Sequence, residues 1–339
     1  MFTLIRRILF LLPPERAHYA TMHLLQVLCA LAPTRWLLQQ IWPMVHDPVE
    51  VAGIRFPNRV GLAAGFDKDA RFMRVFKTLG FGHMEIGTIT PKPQPGNEKP
   101  RLFRLPADKA LINRLGFNNR GLDHAIDKLK NRPQGLIIGG NIGKNKLTPN
   151  EEAEGDYVKC FEALFPYVDY FTVNVSSPNT PNLRALQEKE PLMALLTALQ
   201  TRNQAKETPK PIFLKIAPDL TEGQLDDIVD LVKSTQIAGV VATNTTIDRT
   251  GLQTAAAEVE SLGAGGLSGA PVFLKSTQIL QQLHQKSGGS FPIIGVGGIL
   301  TGQQAAEKAK AGAEMVQLYT GFIYRGPQLV HDCAKALKR

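Results

Sequence analysis

Cysteine is scarce in this sequence, and the few cysteines are far apart. The 339 residues contain three of them, Cys29, Cys160 and Cys333. None has a second cysteine at the close spacing that zinc sites and disulfide frameworks use. We therefore expect neither kind of site, and free thiols favour a reducing compartment.

The sequence also has no apolar run of the roughly 18 to 20 residues that a membrane-spanning helix needs. Residues 1–12 are apolar apart from one threonine and two arginines, and the prolines at 13–14 stop that segment. Between 21 and 32, leucines recur at helical spacing. The interruption excludes a secretory signal peptide. We expect two short amphipathic helices that either lie in a membrane interface or pack as a cap on the main domain.

Acidic residues are outnumbered by basic ones, 30 to 39, which gives a formal net charge of +9. Such a charge suits nucleic acid, an anionic membrane surface or an anionic ligand, and composition alone leaves these open. The basic residues are dispersed rather than clustered beside stacking aromatics, so we expect no nucleic-acid binding. With 43% hydrophobic residues, the chain can bury one large core.

Apolar runs and helical segments alternate along the chain after residue 42. Eight runs are typical of strands: 60–64, 83–87, 136–140, 170–175, 212–216, 239–242, 292–296 and 315–319. Helix-period segments follow them at 71–79, 122–129, 157–165, 192–200, 225–232, 273–283, 303–310 and 329–337. This alternation predicts a closed (β/α)8 TIM barrel over 43–339, with 1–42 as a small N-terminal helical extension.

An open, doubly wound sheet is the competing architecture. It requires a glycine fingerprint directly after an early strand, and the first such turn, 61–68, lacks that spacing. Two connections, 88–119 and 244–271, are long for a compact barrel and are typical of lids or binding segments. Short extra strands are predicted at 49–56 and 102–105.

The carboxyl ends of the predicted strands are rich in amides, hydroxyls and glycines, and in a barrel these ends converge on one face. The fourth strand ends in a polar run with Ser177, our candidate reacting group, although that run alone is simply explained as a serine-proline turn. The other candidates are Ala63, Ala64, Gly65, Lys68, Thr88, Asn113, Asn118, Asn141, Asn174, Asn179, Lys215, Thr243, Asn244, Thr245, Gly297, Gly298, Tyr319, Thr320 and Gly321. No histidine or acidic cluster accompanies them, so we expect no metal, and the face suits a flat, polar, anionic ligand.

Glycine turns occur at 265–269 and 295–298, and the loops after the last two barrel strands commonly hold a phosphate. No side chain on this face is a redox group, and Ser177 lacks the histidine and carboxylate of a hydrolytic triad. Together these features suggest a bound phosphorylated cofactor that performs the electron chemistry. A Schiff-base aldolase with Lys215 as nucleophile and a non-catalytic membrane-binding module are the alternatives.

Five motifs resemble those of the dihydroorotate dehydrogenases. They are the stretches 63–68, 113–119, 174–180, 266–269 and 295–299, in order over essentially the whole chain. The amphipathic leader makes the chain similar to the quinone-linked, membrane-associated class (class 2). One residue departs from the pattern: Asn182 stands where glycine is expected. Because asparagine tolerates a left-handed backbone, this affects the shape of the loop over Ser177 and not the chemistry.

The resemblance implies an FMN-dependent oxidation of (S)-dihydroorotate to orotate in de novo pyrimidine (UMP) synthesis. Hydride would pass to FMN N5 and the C5 proton to Ser177, through Thr180 or water as a relay, because serine alone is a poor base. The soluble classes carry cysteine at this position, so serine favours the quinone-linked class. Electrons would pass to ubiquinone or menaquinone. The enzyme would be peripheral on the cytoplasmic face of the cell (inner) membrane, against an anionic surface.

The same resemblance assigns the other site residues. Lys215 would stabilise the anionic reduced flavin. FMN would contact Ala63, Ala64, Gly65, Phe66, Asp67, Thr88, Asn141, Asn174, Lys215 and Thr243, with its phosphate on Gly269, Gly298, Tyr319 and Thr320. Substrate would contact Lys68, Asn113, Arg114, Leu115, Gly116, Phe117, Asn174, Asn179, Asn244 and Thr245. The N-terminal helices would form an apolar quinone passage bordered at its inner end by Arg104 and Tyr319.

Overall fold

The computed structural model describes residues 2–180 and 182–338. Its α-helices are α1 Phe2–Phe10, α2 Pro14–Ala30, α3 Ala32–Ile41, α4 Met73–Thr78, α5 Gly121–Leu129, α6 Ala153–Leu164, α7 Lys189–Gln204, α8 Glu222–Thr235, α9 Ala256–Ser261, α10 Phe273–Ser287, α11 Gly302–Lys310, α12 Thr320–Arg325 and α13 Gln328–Leu337. Its strands are β1 Val49–Val51, β2 Ile54–Phe56, β3 Val60–Asp67, β4 His83–Ile89, β5 Leu102–Leu105, β6 Ala110–Asn113, β7 Ile137–Ile142, β8 Tyr170–Asn174, β9 Ile212–Ile216, β10 Gly239–Ala242, β11 Gly266–Gly269, β12 Ile293–Val296 and β13 Ala313–Leu318.

Eight parallel strands close into a barrel in the order β3, β4, β7, β8, β9, β10, β12, β13. Strands such as β4, β8 and β9 are buried along their whole length, because helices cover the outside of the barrel while side chains fill its interior. The predicted (β/α)8 barrel is confirmed. Each predicted barrel strand and helix overlaps an observed one.

A β-hairpin closes the amino-terminal end of the barrel. Strands β1 and β2 pair antiparallel, and Phe56 packs edge-on against the rings of His83 and Tyr170, the first residues of β4 and β8. The prediction of one strand over 49–56 is wrong, because the chain reverses at Gly53, where φ is 76°.

A second, three-stranded sheet joins the two long connections. Its order is β11, β6, β5, and Asn113 of β6 pairs with Gly266 of β11 on one side and with Leu102 of β5 on the other. The extra strand at 102–105 is confirmed. The glycine turn expected at 265–269 is mostly a strand, since pairing with β6 keeps Gly266–Gly269 extended, and the chain turns only at Gly269, where φ is 99°.

The N-terminal segment, residues 2–41, is called the leader below. It forms three helices rather than the two predicted, because Pro14 and Pro33 occupy first-turn positions, where proline is tolerated. Met22 and Cys29 are buried against the barrel side. One face of the leader is therefore part of the packed structure.

The rest of the leader carries exposed apolar side chains. Of the fifteen large hydrophobic residues exposed within the described ranges, twelve lie between residues 2 and 41, and Leu11 is 85% exposed. No helix in the described part of the chain is long and apolar enough to cross a bilayer. A concentrated apolar patch of this kind marks a surface for membrane or protein contact.

Candidate active site

A cleft of about 990 Å³ lies at the carboxyl ends of the barrel strands, where parallel barrels place their active sites. We call it the strand-end cleft. Of the 25 residues that the resemblance assigns to FMN, substrate or proton transfer, twenty line it: Ala63, Ala64, Gly65, Lys68, Thr88, Asn113, Leu115, Gly116, Phe117, Asn174, Ser177, Asn179, Lys215, Thr243, Asn244, Thr245, Gly269, Gly298, Tyr319 and Thr320. The tilt and stagger of the strands thus bring together residues up to 257 positions apart in the sequence, from Ala63 to Thr320.

Polar groups from three neighbouring strands form a hydrogen-bonded network beneath the cleft. The Thr88 hydroxyl donates to Asn141 Oδ1 at 2.6 Å, and Asn174 Nδ2 donates to Thr88 Oγ1 at 2.9 Å. Asn141 Nδ2 donates to Glu85 Oε2 at 3.2 Å. Because Glu85 Oε2 accepts from the Asn141 amide nitrogen, Asn141 Oδ1 is turned towards Thr88, and the Thr88 hydroxyl in turn accepts from Asn174.

Glu85 is a buried carboxylate that our sequence analysis missed. It also accepts hydrogen bonds from Gln317 Nε2 at 2.7 Å and Thr172 Oγ1 at 3.1 Å, and Gln317 lines the cleft. The signal was present in the sequence, because Glu85 lies between Met84 and Ile86 in β4, and Gln317 lies between Val316 and Leu318 in β13. A polar residue in the middle of such a strand needs a partner inside the barrel.

Ser177 follows β8 on a segment that is held at several points. The side chain is 6% exposed, lines the cleft, and accepts a hydrogen bond on Oγ from the Asn179 N–H at 3.3 Å. Arg184 donates from Nε to the Ser176 carbonyl and from Nη2 to the Thr245 carbonyl, each at 3.2 Å. This guanidinium, which sequence reasoning also missed, connects the Ser177 segment to the segment after β10.

Two residues close to Ser177 bear on the sequence predictions. Asn182 has φ 56° and ψ 5°, the left-handed conformation that asparagine tolerates in place of glycine. Thr180 is buried but does not line the cleft, and its hydroxyl has no hydrogen-bond partner among the described residues. A proton relay through Thr180 stays a prediction.

Two lysines line the cleft, and burial lowers the pKa of each. Lys215 is 5% exposed, and the nearby Glu85 carboxylate opposes the lowering of its pKa. Burial, assisted by the charge of Arg101, lowers the pKa of Lys68 to about 8, and Lys68 Nζ donates to Asn118 Oδ1 at 2.8 Å. Both lysines are placed to meet a negatively charged ligand.

Three side chains predicted in the flavin shell face away from the strand-end cleft. The Asp67 carboxylate accepts hydrogen bonds from the backbone N–H groups of Arg71 and Phe72 at 2.9 and 2.7 Å, which closes the turn after β3. The Phe66 ring packs edge-on against Tyr319. Asn141 lies behind Thr88, as described above. The family resemblance assigned these residues to the flavin, but local turn and core contacts decide where their side chains point.

Arg114 is also directed away from the cleft, contrary to the expected contact with substrate. Its guanidinium donates to the Leu262 and Ala264 carbonyls and lies over the Phe103 ring, 4.6 Å from the centroid. Neighbouring residues alternate sides along an extended segment, so Asn113 and Leu115 line the cleft while Arg114 faces the opposite side. Arg114 holds the second long connection in place.

The glycine turns lie together at one part of the cleft. A Cβ built on Gly269 would lie 3.0 Å from the Thr320 methyl, and Ser268 Oγ lies 2.8 Å from Thr320 Oγ1. Gly298 has φ 74°, and a Cβ there would lie 2.5 Å from Phe273 Cα. Only glycine allows this approach, which leaves a small backbone cradle suited to an anion.

Gly298→Ala is expected to destabilise the fold by about 2 to 4 kcal/mol, because the methyl group adds overlap with Phe273 to an unfavourable φ. Gly135→Ala is the matched control: φ is 70° and no atom lies within 4 Å of the added Cβ. Gly135→Ala should lower the free energy of unfolding by only about 1 kcal/mol. Urea unfolding measures both, and equal losses would contradict the steric account.

A second cavity, the leader cavity, lies between the leader and the barrel. It measures about 1280 Å³, and its lining is mostly apolar residues of α1 and α2 with Phe66 and Phe322, although Arg6, Glu15 and His18 of the same two helices also line it. The two cavities share four lining residues, Gly65, Lys68, Leu115 and Tyr319. Arg104 also lines the leader cavity. The strand-end cleft therefore adjoins an apolar chamber.

Comparison with known proteins identifies the family to which this chain belongs. The family model described as dihydroorotate dehydrogenase matches residues 48–339. The chain belongs to the dihydroorotate dehydrogenase family. A relative from Christiangramia forsetii named dihydroorotate dehydrogenase (quinone) is 55% identical over 97% of this chain and 96% of its own length. A relative of the same name from Delftia acidovorans is 50% identical over 99% of this chain and 97% of its own length.

Solved structures of dihydroorotate dehydrogenases have the same fold. The crystal structure of the Eimeria tenella enzyme in complex with ferulenol aligns with a TM-score of 0.84 at 36% identity, over 96% of this chain and 90% of that one. The matches to the quinone-named relatives include most of the leader, since they cover at least 97% of this chain. Membership in the dihydroorotate dehydrogenase family excludes the aldolase and the non-catalytic module.

Proposed function

We propose that this chain oxidises (S)-dihydroorotate to orotate in pyrimidine synthesis, uses bound FMN and passes the electrons to a membrane quinone. The observation that carries the proposal is the junction of the two cavities at Gly65, Lys68, Leu115 and Tyr319. A polar, amide-rich site suits the pyrimidine, and the adjoining apolar chamber suits the quinone. The chemistry of each cavity therefore matches one of the two substrates.

The residues around the strand-end cleft fit FMN. Thr245 Oγ1 is buried without a hydrogen-bond partner among the described residues, and buried Lys215 forms no ion pair in the described ranges, so both need a polar ligand. Thr88, Asn174, Lys215 and Thr243 would hold the ring system, and the glycine turns with Thr320 would hold the phosphate. When bound, FMN supplies the two-electron acceptor.

The same cleft can bind and orient dihydroorotate. Lys68 would pair with its carboxylate, and the amides of Asn113, Asn174, Asn179 and Asn244 would hydrogen-bond to the ring amides. Asn179 Nδ2 donates to Asn113 Oδ1 at 3.1 Å, so these two side chains are already oriented towards each other. A ligand held by several fixed amides has little freedom left to lose before reaction.

Ser177 would remove the C5 proton of dihydroorotate. Its hydroxyl lies in the cleft and is 6% exposed, which limits competition from bulk water. A serine hydroxyl is a poor base at its ordinary pKa, so the proton must move onward through Thr180 or a water molecule. The hydrogen bonds from Arg184 to the Ser176 and Thr245 carbonyls would hold the Ser177 segment and the substrate-binding segment after β10 in fixed relative positions.

The leader would guide the quinone from the membrane to the cleft. Arg104 Nη1 donates to the Leu12 carbonyl at 2.7 Å and lies over the Phe10 ring, and Tyr319 lies where the two cavities meet. The exposed apolar residues of the leader would rest in the interface of the cytoplasmic face of the cell membrane, with anionic lipid attracting the net positive chain. Residues 1–42, which include the leader, would then serve as an access module for the barrel, 43–339.

Deleting residues 1–42 should reduce quinone turnover and vesicle binding by at least about 10-fold, while dihydroorotate still reduces the flavin within about threefold of the full-length rate. Turnover is measured by quinone-dependent orotate formation, and flavin reduction by anaerobic absorbance. Equal losses in both assays would mean that the leader supports the barrel fold. Formation of orotate only in the presence of quinone tests the proposed function as a whole.

A matched pair of point variants tests the membrane contact without removing any helix. Leu11 and Leu147 are 85% and 95% exposed, but only Leu11 lies in the leader. Leu11→Glu should weaken co-sedimentation with anionic vesicles by about 10-fold, since it removes an inserted leucine side chain. Leu147→Glu should leave it unchanged. Similar behaviour of the two variants would contradict membrane contact through the leader.

A further inference from the structure

Lys308 of α11 is a buried cation without a counter-charge. It is 0% exposed, donates to Ser276 Oγ at 2.9 Å and Thr277 Oγ1 at 3.0 Å, and lies 5.3 Å from the Phe273 ring centroid. No carboxylate of the described residues pairs with it, and burial is the one cause of its pKa shift. A buried ammonium is costly unless some negative charge compensates it.

The titratable groups of the elements around Lys308 face elsewhere. Those on α10, α11, β13 and α13 are Lys275, His284, Lys286, Glu307, Lys310, Glu314, His331, Asp332, Cys333 and Lys335. Lys275 pairs with Asp219, Glu314 pairs with Arg59, and the His284 ring packs on Gly312. None of them contributes to the pKa of Lys308. The missing negative charge does not come from the protein around it.

Lys308 lies directly behind the glycine turn at 297–298. Ser276 Oγ accepts the hydrogen bond from Lys308 and shares its single proton between the Phe273 carbonyl at 3.1 Å and the Gly297 carbonyl at 3.3 Å. A Cβ on Gly297 would be 2.8 Å from Ser276 Oγ. The other side of this turn lines the strand-end cleft. Only the Ser276 side chain and the backbone of the Gly297–Gly298 turn therefore lie between the Lys308 ammonium and the cleft.

We propose that Lys308 is a positioning residue that supplies a buried counter-charge, through the Gly297–Gly298 turn, to a phosphate monoester bound in the strand-end cleft. The inference rests on the proposed FMN site and deepens it. The glycine backbone binds the phosphate oxygens directly, while Lys308 holds Ser276 and Thr277 and contributes long-range attraction. In the dry interior, such attraction between opposite charges is screened far less than at the surface.

The proposal predicts a link between phosphate binding and pH. Burial lowers the pKa of Lys308 to about 7, so the ammonium loses its proton near neutrality when no anion is bound. A bound dianion favours the protonated form and raises this pKa. Phosphate affinity should therefore be greatest between about pH 6, the second pKa of the FMN phosphate, and about pH 7, and it should fall as pH rises from 7 to 9, where the phosphate stays dianionic.

The test compares FMN with riboflavin, which has the same ring system and no phosphate. Both are titrated into the full-length chain freed of flavin, with quenching of flavin fluorescence as the readout. Lys308→Met keeps length and apolar volume, and should weaken FMN about 10-fold or more while riboflavin binding changes less than about twofold. Lys310→Met, an exposed lysine on the same helix, should change neither.

The ratio of FMN to riboflavin affinity gives a second readout in the unmodified chain. This ratio should fall between pH 7 and 9 in the unmodified chain, whereas in Lys308→Met it should not change with pH. Equal weakening of FMN and riboflavin binding by Lys308→Met would overturn the proposal. A ratio of FMN to riboflavin affinity that does not change with pH in the unmodified chain would also overturn it, and this measurement does not depend on the variant folding. Failure of the unmodified chain to bind either flavin would instead refute the FMN site itself.

Discussion

Ser177→Ala is expected to slow the reduction of bound flavin by dihydroorotate about 10²- to 10⁴-fold, the usual contribution of a general base. FMN should stay bound, because the proposed function places Ser177 against the substrate and the network of Thr88, Asn141 and Asn174 does not involve it. Stopped-flow absorbance measures the rate of reduction, and the flavin-to-protein absorbance ratio measures retention.

Ser177→Cys separates loss of the base from loss of shape. A thiol has nearly the volume of the hydroxyl but a pKa of about 8.5, so the variant should recover part of the rate and should show a pH profile displaced towards lower pH. Near-normal reduction by Ser177→Ala would refute the base assignment. An equal, pH-independent loss in both variants would indicate that Ser177 acts by packing alone.

Lys215→Met is the second change with a large expected effect. Lys215 is buried beside Glu85, and burial lowers its pKa while Glu85 opposes that shift. A fixed positive charge at the ring stabilises negative charge that develops during reduction, so its removal should slow reduction about 10²- to 10³-fold, and FMN retention should fall. Methionine preserves the apolar volume, which limits the structural cost.

Lys144→Met is the matched control for Lys215→Met. Lys144 is also buried, at 2% exposure, but its Nζ donates to the Thr148 carbonyl and it does not line the strand-end cleft. This variant should lose stability without a specific loss of reduction rate. If the two variants lose reduction rate equally, the effect comes from disturbing a buried lysine and not from charge at the flavin.

The barrel and most of the cleft could be predicted from the sequence because they follow from strong local signals. Apolar runs separated by helix-period segments fix the strand count, and the polar residues of a parallel barrel collect at its carboxyl end. The second sheet could not be predicted, since Gly266–Gly269 becomes a strand only by pairing with Ala110–Asn113. Such pairing is a tertiary effect that overrides local propensity.

The direction in which individual side chains point also could not be predicted from the sequence. Arg114 and Asp67 belong to motifs near the cleft, yet one serves the second long connection and the other closes a turn. Conversely, Lys308 is fully buried although its segment has the pattern of an ordinary surface helix. Sequence spacing gives the element, whereas three-dimensional packing decides which charges meet.

Anaerobic mixing of the purified chain with (S)-dihydroorotate tests the central claim most directly. The account predicts a yellow protein whose flavin absorbance bleaches in a single turnover and returns when a quinone is added. A colourless protein, or a flavin absorbance that dihydroorotate leaves unchanged, would contradict it.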